Sequence, residues 1–534
     1  MKAPPELFSK EIGDGGDTPQ APASASAAIA IQSTDDVATS LSRTRKLVIA
    51  FTLILMNFNV TMGSSLPSGA GISLNAQFGV TSQFQKPLPV AIFLVGYILG
   101  PIIFAPLSES WGRRPVFLLS FTLHTLFTLA CGLAPSWGAF LFFRFMLGCG
   151  AAAPQTVSGG VFCDVYRELG PRGLAVTMLG LTSNVGPLVG PVVAAYSARM
   201  GWQCECDSFS ICLFQNCKML VWSQLCVPRS YGTSLSGTGL TSSAHSGPYW
   251  CALMLAAVNW PLLLCMPETF APALNGRAAP AAHWRTIARL ITRPIRILSE
   301  PLVFFTDLFI LYQYIIFFLY FGAYPIIFKG TYGMSDGVSA LMFVPTGLGA
   351  VLAIAMFVAW DRYYARAAAQ ERPWALREEY RRLPLACVGG PLFALSEFWL
   401  GWTARPSIHW AVPALSGVPL GIGIDLTFLA LNNYLTDAYD IYSASALAST
   451  VFTRNLLAAI LIPLTTAPLY EKLGTRSACT LLGCMCVALT PIPFAFVRWG
   501  PALRKRSPFC QELARLRAAD KAAVGRADAR EQSA

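Results

Sequence analysis

Ionisable side chains set inside long apolar runs are the first candidates for chemistry in this 534-residue sequence. Asp307 follows Phe304-Phe305-Thr306, and Asp425 sits within Gly423-Ile424-Asp425-Leu426-Thr427. A charge in hydrocarbon is costly and is retained where it faces a cavity or a partner. Two such carboxylates at similar depth could meet in one aqueous vestibule and take up and release protons there, or both could simply face water near its mouth. Arg144, in Arg144-Phe145-Met146-Leu147-Gly148, is a third candidate, with snorkelling to the surface as the alternative. Glu397, in Leu395-Ser396-Glu397-Phe398-Trp399, reads as peripheral. Asn57, Asn59, Gln155, Gln313 and Tyr314 are polar groups that could line a substrate cavity or pack helices. The runs Phe142-Phe143 and Phe317-Phe318 read as lipid-facing or packing residues. An enzyme would need a clustered nucleophile, base or metal set. His124, His245, His283 and His409 are scattered, and none has metal-ligand spacing. No catalytic residue, metal site or cofactor is expected, and the chain is not expected to be an enzyme.

The elements that must hold these residues follow from composition. Hydrophobic residues make up 54% of the chain and charged residues 13%, where a soluble protein carries about 25% charged. Mean hydropathy is +0.51. A water-soluble shell cannot be built from so few charges, and neither can a disordered chain. A spanning helix needs about 20 mostly apolar residues. Twelve such runs are predicted, with cores near 47–69, 87–107, 115–133, 139–161, 174–196, 249–266, 301–323, 337–359, 384–403, 409–432, 445–466 and 477–497. The expected fold is therefore all-α and polytopic, with twelve transmembrane helices. With the N-terminus inside, 29 of the 39 Lys and Arg fall on the cytoplasmic side. That bias places both termini in the cytoplasm, and the net charge of +11 becomes a topology signal rather than a footprint for nucleic acid.

The predicted organisation is a disordered tail over 1–46 without a signal peptide, a six-helix half over 47–266, a cytoplasmic connection over 267–300, a second half over 301–499 and a tail over 500–534. Twelve helices split six and six point to a duplicated transporter. Residues 203–247 interrupt the scheme. They are rich in Ser, Gly and Cys and hold Cys204, Cys206, Cys212, Cys217 and Cys226. The stretch is either an extracellular loop with disulfides or an intron carried into the translated sequence. Without it, Gly201-Trp202 would run directly into Pro248-Tyr249-Trp250.

Three local patterns identify a family. The turn after the second span reads Leu107-Ser108-Glu109-Ser110-Trp111-Gly112-Arg113-Arg114-Pro115. An acid before such a turn can cap a neighbouring helix, and the arginines can bridge acids or lipid phosphates. The fourth span holds Arg144 before a Gly-rich stretch. The fifth reads Asn184-Val185-Gly186-Pro187-Leu188-Val189-Gly190-Pro191, whose Gly-Pro pairs bend a helix and permit close packing. These segments resemble motifs A, B and C of the major facilitator superfamily, in the form common to its fungal twelve-helix drug:proton antiporter branch. Pro267-Glu268-Thr269, Asp361-Arg362 in the 8–9 loop, and Asn433 to Tyr439 with Arg454 resemble further segments of that branch. The resemblance implies that Glu109, Gly112, Arg113, Arg114 and Asp164 form a conformational lock. It implies that Arg144 acts in proton coupling, and that Gly186, Pro187, Gly190 and Pro191 form the antiporter motif. It also implies a multi-pass plasma-membrane protein, working as a monomer among lipids, that exports drugs, toxins or secondary metabolites against inward protons. Its partner is then a small-molecule substrate, with no nucleic acid involved and the proton gradient in place of any cofactor. An importer of a polyamine, vitamin or sugar, or a transporter-like nutrient sensor, is the alternative.

Overall fold

The computed structural model describes residues 41–166, 169–197, 247–270, 296–375, 377, 379–439, 443–511 and 515. The tail 1–40, the insertion over 203–246, the greater part of the 267–300 connection and the C-terminal tail past 515 lie outside the described residues. Among the described residues twelve long helical segments follow one another. They are α1 (Arg43–Gly69), α2 (Leu88–Ser110), α3 (Arg113–Gly132), α4 (Trp137–Ala151 continued by Ala153–Val165), α5 (Leu169–Ser197) and α6 (Gly247–Leu264) in the first half. The second half holds α7 (Pro301–Tyr324 continued by a wide turn, Pro325–Thr331), α8 (Val344–Ala369, preceded by a short helix Asp336–Leu341) and α9 (Glu379–Thr403). It ends with α10 (Ala411–Leu415 then Gly417–Tyr439), α11 (Ser443–Ala467) and α12 (Gly474–Leu489 then Pro491–Arg506). Eleven of these are long and apolar enough to cross a membrane, and α2 holds a shorter apolar stretch, Leu88–Phe104. No strand occurs among the described residues.

Proline sets most of the irregularities. It lacks the N–H that would bond four residues back. The break in α4 precedes Pro154, the wide turn of α7 starts at Pro325, and α12 breaks before Pro491. Several edges differ from the sequence expectation. Ser42 caps α1 by accepting from the Arg45 N–H, so the helix starts at Arg43, inside the tail predicted over 1–46. At the other end α12 runs on to Arg506, into the tail predicted over 500–534. α8 extends to Ala369, which puts Asp361 and Arg362 on a helix rather than in a loop. α10 extends to Tyr439, beyond the predicted edge at 432. Polar residues in these last turns lower local hydropathy, yet nothing there breaks a helix.

The two halves repeat one packing scheme. In the first, α1 lies on α5, α2 and α3 on α4, and α3 on α6; in the second, α7 lies on α11, α8 and α9 on α10, and α9 on α12. The halves meet where α2 lies along α11 and α5 along α8. The end of the bundle holding Arg113, Arg382 and Arg504 is called the basic end below. At the opposite end the short helix Asp336–Leu341 rests on α5 and α1, with Gly337 against the Tyr196 ring.

Candidate functional site

A central cavity lies between the halves. Its wall comes from α1 (Thr61, Ser64), α2 (Phe93, Tyr97), α4 (Gln155), α5 (Ser183, Asn184), α7 (Gln313, Tyr314, Phe317, Phe318), α10 (Ile424, Phe428) and α11 (Arg454). The free space is about 50 Å3, while a drug-sized ligand occupies a pocket of about 300–1,000 Å3. The halves are thus collapsed onto the cavity. Polar groups in the wall are bonded to one another or to residues behind it: the Tyr97 hydroxyl donates to Gln155, and Gln313 donates to Thr427 at 3.4 Å. Tyr314 donates to Asn455 Oδ1 at 2.8 Å. Of the two readings given to the aromatic runs, lipid-facing or packing, Phe317 and Phe318 are buried and belong to this wall, whereas Phe142, at 55% exposed, faces outward.

The two candidate acids have separate surroundings. Asp425 is buried at the middle of α10, and its Oδ1 accepts from Asn184 of α5, a bond between the halves; its Oδ2 has no partner. Asp307 is buried near the basic end of α7, beside Thr453 and under the field of Arg454. Among the described residues no interaction joins the two carboxylates. The extension of α10 is the reason, because it carries Asp425 to mid-helix while Asp307 stays within the first turns of α7. Glu397 is not peripheral. It is fully buried in α9, where the Tyr320 hydroxyl donates to it at 2.9 Å.

Three other sequence candidates serve the first half internally. Asn57 donates to the Leu179 carbonyl, Thr182 and Ser183, which ties α1 to α5. Asn59 donates to the Ala252 carbonyl, and its Oδ1 lies 3.3 Å from His124 Nε2. Neither Asn57 nor Asn59 is in the cavity wall. Arg144 does not snorkel. It is 0% exposed, stacks 4.8 Å over the Phe93 ring, and donates to the carbonyls of Pro89 (2.9 Å), Gly63 (2.7 Å) and Ser64 (2.7 Å). The Gly63 carbonyl is free to accept because Pro67, four residues on, has no N–H.

The antiporter-like run brings α1 and α5 into backbone contact. A Cβ on Gly186 would stand 2.1 Å from Thr61 Oγ1, and one on Gly190 would stand 2.1 Å from Ser65 Oγ and 2.7 Å from the Met62 carbonyl. Pro191 frees the Pro187 carbonyl, which the Ser65 hydroxyl fills at 2.6 Å. Each proline of the bend leaves an acceptor, and α1 supplies a donor for this one.

At the basic end Gly112 takes φ 103° to start α3. Arg113 pairs with Asp164 at 3.3 Å and donates to Ser108 at 2.9 Å. Glu268 caps α3. Its carboxylate accepts from the N–H groups of Arg113 and Arg114 at 2.9 and 3.0 Å. Arg114 in turn donates to the Leu264 carbonyl. The side chain of Glu109 lies outside the described residues. The second half repeats the arrangement with Arg382, which pairs with Asp361 (3.1 Å) and Asp437 (3.4 Å).

Comparison with known proteins agrees with this architecture. The pattern described as Major Facilitator Superfamily matches residues 49–205. The chain is 30% identical over 487 residues to a protein named efflux pump FUBT of Fusarium oxysporum, covering 89% of this chain and 76% of that one. The chain belongs to the major facilitator superfamily. It falls with that superfamily's fungal efflux-type branch. The multidrug transporter mdrA of Aspergillus fumigatus is also 30% identical, over 473 residues, covering 87% of this chain and 72% of that one. Among solved structures, the inward-open xylose transporter XylE of E. coli aligns with a TM-score of 0.58 at 16% identity, covering 85% of this chain and 96% of that one. At that identity the match speaks for the fold of the superfamily, twelve helices in two halves.

Sequence reasoning named these segments without their contacts. Glu268 was legible as part of Pro267-Glu268-Thr269, but its capping of α3 bridges 154 residues of chain for the Arg114 N–H. A repeated Asp-x-Tyr closes both fourth helices of the halves: Asp164 and Tyr166 in α4 with its following residue, Asp437 and Tyr439 in α10. Each Asp binds an arginine of the next-packed helix. Each Tyr reaches the start of its half, Tyr166 to the Lys46 carbonyl and Tyr439 to Glu300.

Proposed function

We propose that this superfamily transporter exports small organic molecules across the plasma membrane in exchange for protons, with both termini cytoplasmic. The observation that carries the reading is the Asn184 to Asp425 bond, because it joins the two halves beside the antiporter-like Gly186-Pro187. A hydrogen bond to a charged carboxylate is roughly twice as strong as one between neutral groups. Protonating Asp425 weakens a tie between α5 and α10 and biases the equilibrium between closed and open halves. Asp307 and the Arg144 brace of the first half are the further coupling candidates. Arg113, Arg114, Glu268 and Asp164 hold the basic end of the first half together, as the lock does in the motif A reading. The efflux direction rests on the named relatives and on the Gly-Pro run of α5.

The test is accumulation of fluorescent drugs and fungal metabolites in a pump-deficient yeast that expresses the chain, with and without a protonophore. Lower accumulation that the protonophore abolishes supports export driven by protons. Higher accumulation, or a change indifferent to the protonophore, overturns it. Tags at either terminus that antibody reaches only in permeabilised cells support the orientation.

A further inference from the structure

Arg454 is the charged residue of the cavity wall; the field of Asp307 reaches it, but that carboxylate does not bond to it. It is 4% exposed. Its guanidinium carbon lies 4.9 Å from the Tyr314 ring centre and 5.0 Å from that of Phe428, so two aromatic faces flank it. Among the described residues no hydrogen bond and no ion pair within 4 Å reaches it, and its Nε is buried with no acceptor. A guanidinium carries five donors in a planar fork that matches a carboxylate. The contrast with Arg144 is informative: that arginine, equally buried, spends its donors on three backbone carbonyls. The carboxylates Asp307 and Asp425 stand outside the residues that face the cavity, and Asp425 is engaged with Asn184. The cavity's own charge is therefore positive. The same wall carries the apolar rings of Phe93, Phe317, Phe318 and Phe428.

We infer that the central cavity binds its substrate as an organic anion, a small flat carboxylic acid whose carboxylate seats on Arg454 while its apolar body lies against these phenylalanines. This deepens the export reading and rests on it for the direction of movement only. A buried guanidinium with unpaired donors is destabilising in hydrocarbon, and a bound carboxylate fills the fork that Asp307 acts on only at a distance. A lipophilic cation would meet Arg454 at close range and be rejected. A neutral amide of the same shape would leave the fork unpaired.

The test compares matched ligands on the purified full-length protein: benzoate against benzamide, 1-naphthoate against 1-naphthamide, and tetraphenylphosphonium as the cation. Binding is read from the rise in unfolding temperature and from displacement of radiolabelled 1-naphthoate. The acid of each pair is expected to bind at least about tenfold more tightly than its amide, given the strength of hydrogen bonds to charged groups. Arg454→Gln is expected to erase that preference. Arg454→Lys, which keeps the charge but not the fork, is expected to keep part of it and guards against a variant that fails to fold. Equal binding of acid and amide, no binding by either acid, or preference for the cation overturns the inference. So does an acid preference that survives in Arg454→Gln. Export of only neutral or cationic compounds by the yeast would remove the anion site and leave export standing. Acid-selective binding with no export would do the reverse.

Discussion

At the residue scale, what the buried charges touch separates their roles. Arg144 and Arg454 look alike in sequence, each a lone arginine in an apolar run. One is saturated by three backbone carbonyls, of which that of Gly63 has no helical donor because Pro67 follows four residues on, and the other is not. Arg144→Leu should therefore act on stability first. It leaves the buried Gly63 carbonyl without a donor, at about 1–3 kcal/mol for a group left unsatisfied. The expected result is a fall in unfolding temperature in detergent, with Arg144→Lys falling less. An unchanged temperature would mean the carbonyls are not dependent on the guanidinium. Asp425→Asn should do the opposite. The amide still bonds Asn184 but takes up no proton, so substrate counterflow without a gradient is expected to persist, while export driven by an imposed pH gradient falls at least about tenfold. Gradient-driven export at the wild-type rate would remove Asp425 from coupling. The identity of these buried groups was readable from sequence, because charge stands out against hydrocarbon. Their partners were not, since Asn184 and Asp425 are 241 positions apart.

At the element scale, the positions of the twelve helices were legible, and their ends less so. Hydropathy marks the hydrocarbon core, whereas an end is set by caps and prolines that need not be apolar. Ser42 starts α1 early, and α8 and α10 continue through polar turns, largely exposed in α8 and largely buried in α10. That continuation moved Asp425 away from the vestibule mouth and removed its expected meeting with Asp307. The small residues of α5 were readable as a packing face; that the face belongs to α1 required the fold. At Gly190 a branched side chain would drive into the Met62 carbonyl, 2.7 Å from an ideal Cβ. Backbone cannot yield as a flexible side chain does. Gly190→Val is expected to separate α1 from α5 and lower the unfolding temperature, by the order of 1–3 kcal/mol that overpacking costs. Gly138, with open space around its Cβ position, is the control: Gly138→Ala should leave the temperature unchanged or raise it. Equal effects at both sites would deny the close approach.

At the scale of the molecule, the distribution of ties between the halves defines which way the bundle is closed. At the basic end the ion pairs among the described residues stay within one half: Arg113 with Asp164, Arg382 with Asp361 and Asp437, Arg504 with Glu379. At the opposite end the halves touch directly, where Asp336–Leu341 lies over α1 and α5. Tyr249, in the first turn of α6, is buried edge-on to Phe140 at 6.0 Å. If transport alternates access, this contact must part once in every cycle, because the cavity of about 50 Å3 has to enlarge and open on both sides in turn. Gly337 lies 3.0 Å, measured from an ideal Cβ, from the Tyr196 ring. The pair Tyr196→Cys and Gly337→Cys brings two thiols within reach of a short bis-maleimide, since the lost ring leaves a gap that a disulfide would not span. Crosslinking is expected to stop export while leaving both single variants, which carry the same native thiols, active after the same treatment. Ligand binding from the basic end should survive the crosslink, because the ties there are internal to each half and leave them free to part. Export that continues in the crosslinked protein would show that this closure is not part of the cycle. Loss of both export and binding would show instead that the crosslink holds the cavity shut from either side, and that the two ends are mechanically coupled through α5 and α8.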